Sequence, residues 1–205
     1  KVVISNCLIN KNVAKDGFSI FVESANNTII YIIDCQIIDC CNPECTNYSI
    51  ICFAKELIFE NSKIVFTSMK GTSSGILVSQ PTKIINSQFI KNSMHDVNRS
   101  EVLFIDYDAK EVEITETLFE DCGYGGNDYA AIKIYSPIVN IHNIVINYTS
   151  NKKDKSCLPV LINDYCDIIF YDVNISNSYC NGAFQYNPIK LKNVKNERIL
   201  IEMCT

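Results

Sequence analysis

Tryptophan is absent from this 205-residue chain and leucine is scarce, so the regular Leu ladder of a leucine-rich repeat is missing. Arginine is nearly absent too: Arg99 and Arg198 are the only two. The formal net charge of -5 is spread along the sequence without a basic run. A nucleic-acid partner would want a Lys/Arg stripe with interleaved aromatics, and none is present. The densest positive cluster, Lys152, Lys153 and Lys155, sits in a polar segment from Ser150 to Ser156 and reads as a solvated loop. No apolar run approaches the length of a membrane span. No signal peptide is visible and the first residue is Lys, so the chain is expected to be a processed or partial product of a longer one.

The apolar residues that are present are strand formers. Ile dominates, and Val, Phe and Tyr supply much of the rest. Asn is abundant and tolerates turns and left-handed backbone. These residues fall into a repeat of roughly 28 residues, the kind of period that marks a solenoid or array. It is clearest from Val112 to Tyr135, which reads as strand, polar turn with Gly125-Gly126, and strand.

Three columns emerge when the repeats are superposed. Cys7, Cys35, Ser62, Ser87, Thr117, Ile144 and Val173 form a small or β-branched column. Two residues on, Ile9, Ile37, Ile64, Phe89, Phe119, Ile146 and Ile175 form a bulky apolar one. That spacing puts both on one face of a strand. Three residues further, Asn12, Cys40, Thr67, Asn92, Cys122, Thr149 and Ser178 mark the start of a turn. A second strand follows each turn, as in Gly17–Val22, Tyr48–Phe53, Ser74–Val78, Glu101–Ile105, Ala130–Ile134, Leu158–Ile162 and Gly182–Tyr186. Length variation is expected in the one connection between them.

No unit carries a helical apolar face, propeller blades need a longer period, and a sandwich does not predict recurring columns. The expected fold is all-β: one right-handed parallel β-helix domain over residues 1–205, with seven to eight coils of roughly 28 residues and a degenerate last coil at 191–205. At about 4.8 Å per coil it would make a rod of roughly 35 Å.

Phe89-Ile-Lys-Asn92, Ser74-Gly75-Ile76 and Asn181-Gly182-Ala183-Phe184 resemble the repeated F-x-x-N and G-G-A-[ILV] motifs of the polymorphic outer-membrane-protein type of β-helix. In other coils the letters depart: Phe119-Glu-Asp-Cys122 lacks the Asn, and Ala130-Ala131-Ile132 lacks the Gly pair. The resemblance implies a surface-exposed, adhesin-like β-helix and brings no catalytic residues with it.

Eleven Cys and five sequons, at Asn26, Asn47, Asn98, Asn147 and Asn174, point to an oxidising, extracellular or cell-surface location. The odd Cys count leaves at least one thiol outside intrachain pairing. Cys7 and Cys35 are expected on adjacent coils within disulfide reach, and Cys157 and Cys180 hold equivalent positions three residues before Val160 and Ala183. Cys40, Cys41 and Cys45 crowd one turn without the paired C-x-x-C or H-x-H spacing of a zinc site, so no metal or other cofactor is expected. Cys52 reads as a small buried hydrophobe.

The enzymatic candidates are Asp106, Asp108 and Asp164. The first two would alternate onto one strand face, with the third two coils away, as in β-helix enzymes that cleave polysaccharides. Neither Arg maps near them, and the N-x-D, D-D, G-H-G and R-x-K motifs of pectinase-like hydrolases are missing. His95 falls in a polar turn and His142 points out of a strand, neither beside an evident nucleophile.

The functional expectation is a non-enzymatic structural or adhesive rod that meets a protein or glycan partner on its outer faces or loops. A polysaccharide-cleaving β-helix enzyme is the first alternative. A self-assembling filament component, associating through uncovered coil ends, is the second. Asn174 is expected to point outward.

Overall fold

The computed structural model describes residues 1–11, 20–23, 27–40, 48–65, 74–90, 102–106, 108–120, 122, 130–136, 138–147, 158–163, 167–176, 184–187, 194–196 and 199–202. Among these residues every regular element is a β-strand. No described helix is long and apolar enough to cross a membrane.

In chain order the strands are β1 (Val2–Ser5), β2 (Leu8–Asn10), β3 (Ile20–Glu23), β4 (Ile29–Ile33), β5 (Gln36–Ile38), β6 (Tyr48–Phe53), β7 (Glu56–Glu60), β8 (Lys63–Val65) and β9 (Ser74–Val78). There follow β10 (Thr82–Ile85), β11 (Gln88–Ile90), β12 (Leu103–Ile105), β13 (Val112–Thr115), β14 (Leu118–Glu120), β15 (Ala130–Ile134) and β16 (Ile138–Asn147). The chain closes with β17 (Leu158–Asn163), β18 (Asp167–Ser176), β19 (Phe184–Asn187), β20 (Val194–Asn196) and β21 (Ile199–Glu202).

Through β15 each coil contributes three short strands; in the next two coils one ten-residue strand, β16 or β18, takes the place of the first two, and each strand pairs in parallel with its counterpart a coil away. One 7-stranded sheet runs β19-β17-β15-β12-β9-β6-β3. The other strands form ladders β1-β4-β7-β10-β13 and β2-β5-β8-β11-β14, joined into one sheet because β16 runs on from one ladder into the other. The structure is a parallel β-solenoid. The last coil, degenerate in letters, keeps the same pairing: Ile168 faces Val194 and Val173 faces Ile199.

The register reproduces the columns read from the sequence. Ile9, Ile37, Ile64, Phe89, Phe119, Ile146 and Ile175 are successive ladder partners. Ile4, Ile32, Phe59, Ile84, Ile114, Ile141 and Phe170 form a matching column in the strand before. From Ile32 to Ile141 and from Ile37 to Ile146 these side chains are completely buried. Stacking places like on like along the axis, as with Phe89 and Phe119, whose rings lie 4.9 Å apart and 3° from parallel.

A fourth column, missed in the sequence, explains the corner between the first two strands of each coil. Asn6, Asp34, Asn61, Asn86, Glu116, Asn143 and Asp172 all have positive φ, between 44° and 56°. Asn and Asp enter this left-handed region at the least cost among residues with a Cβ. The residue that follows faces inward and is small because its hydroxyl or thiol folds back onto the carbonyl two residues earlier. Ser62 donates to the Glu60 carbonyl at 2.7 Å, Ser87 to Ile85 at 2.8 Å and Thr117 to Thr115 at 2.8 Å. The same device recurs at the next turn: Lys11 and Asp39 have φ of 51° and 52°, and the Cys40 thiol donates to the Ile38 carbonyl at 3.3 Å.

Glu116 is the misfit in the left-handed column, and it is exposed. Glu116→Asn is therefore expected to stabilise the protein by about 0.5–1 kcal/mol, by relieving backbone cost alone. A raised urea midpoint with unchanged slope would register it, and no change would mean that the corner tolerates any residue.

Length variation is not confined to one connection, contrary to expectation. The turn leading from the 7-stranded sheet into the next ladder also varies, from Ala54 and Lys55 alone to the whole of residues 106–111. These turns stack beside one another without matching in length, and that leaves a recess between them.

Candidate functional site

Two neighbouring features of the outer surface carry chemistry. The first is the outward face of the 7-stranded sheet. Alternation sends Ile20, Ile50, Ile76, Leu103 and Ile132 into the core. The residues between them therefore point out, and much of that outer face is apolar or aromatic. Phe21, 51% exposed, meets Phe53 edge-on at 6.5 Å. Further along, Phe104 and Tyr135 meet edge-on at 5.8 Å, with the Lys133 ammonium 5.8 Å from one ring centre and 5.6 Å from the other. A cation held over two rings is favoured by their negative faces.

The second feature is the recess at the edge of that sheet, a groove of about 660 Å³. Phe53 and Pro81 supply apolar wall, and Lys55, Lys110 and Asp108 supply charge. These three charged groups are exposed and make no ion pair with one another or with other described residues. By contrast Lys83 pairs with Glu113 at 3.2 Å across one coil step, and that carboxylate holds the Lys83 pKa above its usual value.

Gln80 lies in the groove wall and is 3% exposed. Its Oε1 accepts the Ser79 backbone N–H at 3.2 Å, which sets the orientation of the amide. Its Nε2 is buried and has no hydrogen-bond partner among the described residues. The Cys52 thiol lies close enough for that amide to pull its pKa down, but burial dominates and pushes it up to about 11. Cys52 is accordingly expected to resist alkylation in the folded protein at neutral or mildly alkaline pH, whereas half-exposed Cys7 labels. Peptide mapping after iodoacetamide treatment checks this, and equal labelling of both would contradict it.

Asp106 and Asp108 do not alternate along one strand face. Strand alternation ends at Ile105. The Asp106 amide donates to the Val78 carbonyl at 2.9 Å, and its own carbonyl accepts the Ala109 N–H at 3.1 Å. That turn takes Asp108 off the strand face and into the groove, whose lining does not include Asp106. Asp164, His95, Arg99 and Arg198 lie outside the described residues. His142, whose Nδ1 lies 3.1 Å from Thr115 Oγ1, pairs with Thr115 across the ladder and joins no nucleophile in the groove.

Cys7 and Cys35 stand on adjacent coils, as the Gln36 N–H to Cys7 carbonyl bond of 2.8 Å requires, but they are free thiols and not a disulfide. Cys7 donates to the Ser5 carbonyl at 3.2 Å and Cys35 to the Ile33 carbonyl at 3.2 Å. Side chains related by one parallel coil step begin about 4.8 Å apart, wide of the usual 3.5–4.5 Å between bridged Cβ atoms. Burial pushes the Cys35 thiol pKa up. Cys157 and Cys180 lie outside the described residues, as do Cys41 and Cys45. Among the described residues no group of three or more His, Cys, Asp or Glu is placed to hold a metal ion.

Of the five sequons, Asn26, Asn47 and Asn98 lie outside the described residues. Asn147 ends β16 and is half-buried. Asn174 faces exposed Val145 across the ladder, on the outward side of β18 as expected. It is half-buried, with its Oδ1 shielded and without a hydrogen-bond partner among the described residues.

No protein family matches the chain, and neither a curated protein nor a solved structure matches it. The class the geometry defines is the parallel β-solenoid.

Proposed function

We propose that this solenoid is a non-enzymatic structural and adhesive element, acting outside the cell or on its surface, whose outer face engages a protein or glycan partner. The observation that carries this reading is the contrast between its two surfaces. The interior is sealed with stacked Ile and Phe, while the outward face of the 7-stranded sheet displays Phe21, Phe53, Phe104 and Tyr135 with Lys133 among them. Exposed Phe21 and Phe53 and half-buried Phe104 and Tyr135 form an extended contact surface of the kind solenoids use for binding. The likeness to the polymorphic outer-membrane-protein β-helices points the same way. Phe89 of its F-x-x-N motif and Ile76 following Gly75 both pack in the core, so those letters serve coil stacking. The sequons and the abundant Cys favour the extracellular placement.

The test is attachment without turnover. Beads coated with the protein are expected to bind a glycan- or protein-bearing surface saturably, and Phe104→Ala with Tyr135→Ala is expected to weaken that binding about tenfold. Soluble polysaccharides incubated with the protein should gain no reducing ends or unsaturated sugars. Cleavage would overturn the reading in favour of a β-helix hydrolase or lyase acting through Asp108.

A further inference from the structure

We infer that the groove at the edge of the 7-stranded sheet binds an acidic oligosaccharide, a short run of uronate sugars. The inference rests on the adhesive reading and gives its glycan partner a chemical class. A volume of about 660 Å³ suits a small ligand. Lys55 and Lys110 bring two ammonium groups that make no ion pair among the described residues, so a ligand carboxylate displaces no resident partner. Asp108 beside them accepts hydrogen bonds from sugar hydroxyls, which a simple anion would not offer. Phe53 and Pro81 provide the apolar wall against which the C–H face of a sugar ring packs. Together the wall holds cation, carboxylate and ring, matching a ligand that carries charge and hydroxyls on one flat scaffold.

A peptide fits less well. Strand addition needs free backbone donors and acceptors, and the groove's turns have spent theirs on the neighbouring coils. Lys55 N–H donates to the Thr28 carbonyl at 2.9 Å, Leu57 N–H to Pro81 at 3.0 Å, and Thr82 N–H to Glu111 at 3.1 Å.

The experiment is calorimetric titration of the intact chain at low salt with three probes: a short oligogalacturonate, the neutral galacto-oligosaccharide of equal length, and a poly-glutamate peptide of equal charge. The oligogalacturonate is expected to bind, more weakly as salt rises, and the other two are expected not to. Lys55→Gln with Lys110→Gln should lower affinity about tenfold, whereas Lys11→Gln, far from the groove, should leave it unchanged. Both lysines of the groove are exposed, so folding should survive their replacement. Equal binding of the neutral sugar, preference for the peptide, unchanged affinity in the double variant or absence of any binding would each overturn the assignment. The adhesive reading has its own failure, cleavage of polysaccharide or indifference to Phe104 and Tyr135, so the two can fall separately.

Discussion

Phe89→Ala is expected to destabilise the protein by about 3–5 kcal/mol, the range for deleting a buried aromatic ring. Phe89 is fully buried, stacked on Phe119 at 4.9 Å and tilted against Phe59 at 5.8 Å. The high end of the range is the relevant one because the gap cannot close. Strand β11 is hydrogen-bonded to β8 on one side and β14 on the other, which holds the flanking coils at the ladder spacing whatever fills the space between. Urea unfolding followed by circular dichroism measures the loss, with Leu8→Ala as the reference. Leu8 is 65% exposed and sits in the neighbouring outward column, the ladder position of Gln88, so its truncation should stay within about 0.5 kcal/mol. A cost for Phe89→Ala below about 1 kcal/mol would show that the coils slide together. A broadened transition would show that the damaged coil separates the ladder into parts that unfold independently.

How much of this was legible in the sequence depended on the side chain doing the work. The core columns were legible because an inward position in a stacked coil accepts only a bulky apolar residue, and the period repeats it. The period alone therefore aligns Ile64, Phe89 and Phe119, and the ladder register matches residue for residue. The corner was not read, although its signal was present: Asn6, Asp34, Asn61 and Asn86 recur one residue before the small column. Abundant Asn elsewhere hid it, and Glu116 interrupts it. The groove was invisible for a different reason. Phe53, Gln80 and Asp108 come from the end of β6 and the corresponding turns after β9 and β12, on three successive coils, but the connection differs in length and residue type from coil to coil, so no column marks it. Asp106 and Asp108 were misplaced because alternation was carried past Ile105, where the Asp106 amide and carbonyl close a turn. Likewise the Cys7–Cys35 pairing was right about proximity and wrong about bonding, since adjacency on a ladder fixes the coil step and not the approach of two Cβ atoms.

Ser62→Ala should cost about 1–3 kcal/mol, although it removes a single oxygen. At the left-handed corner the N–H of the next residue turns into the core, out of reach of a backbone carbonyl on the adjacent coil. Cys35 N–H is satisfied instead by Ser62 Oγ at 3.0 Å, and Ser62 N–H in turn by Ser87 Oγ at 3.2 Å. Each hydroxyl accepts from the coil before and donates to its own chain two residues back. Alanine at 62 would leave the Cys35 N–H buried and unpaired while keeping shape and apolar packing. Hydrogen exchange at the Cys35 amide should quicken along with the drop in urea midpoint, and Ser62→Thr should retain both because Thr117 already serves this position. Ser62→Ala and Ser87→Ala together should cost less than the sum of the two, since the hydroxyls belong to one chain of bonds. The column gives up its hydroxyls at Ile144 and Val173, and there β16 and β18 run through the corner with those two residues paired directly in the ladder. Polar atoms line the core of this solenoid where the strands break, and apolar ones replace them where the strands do not.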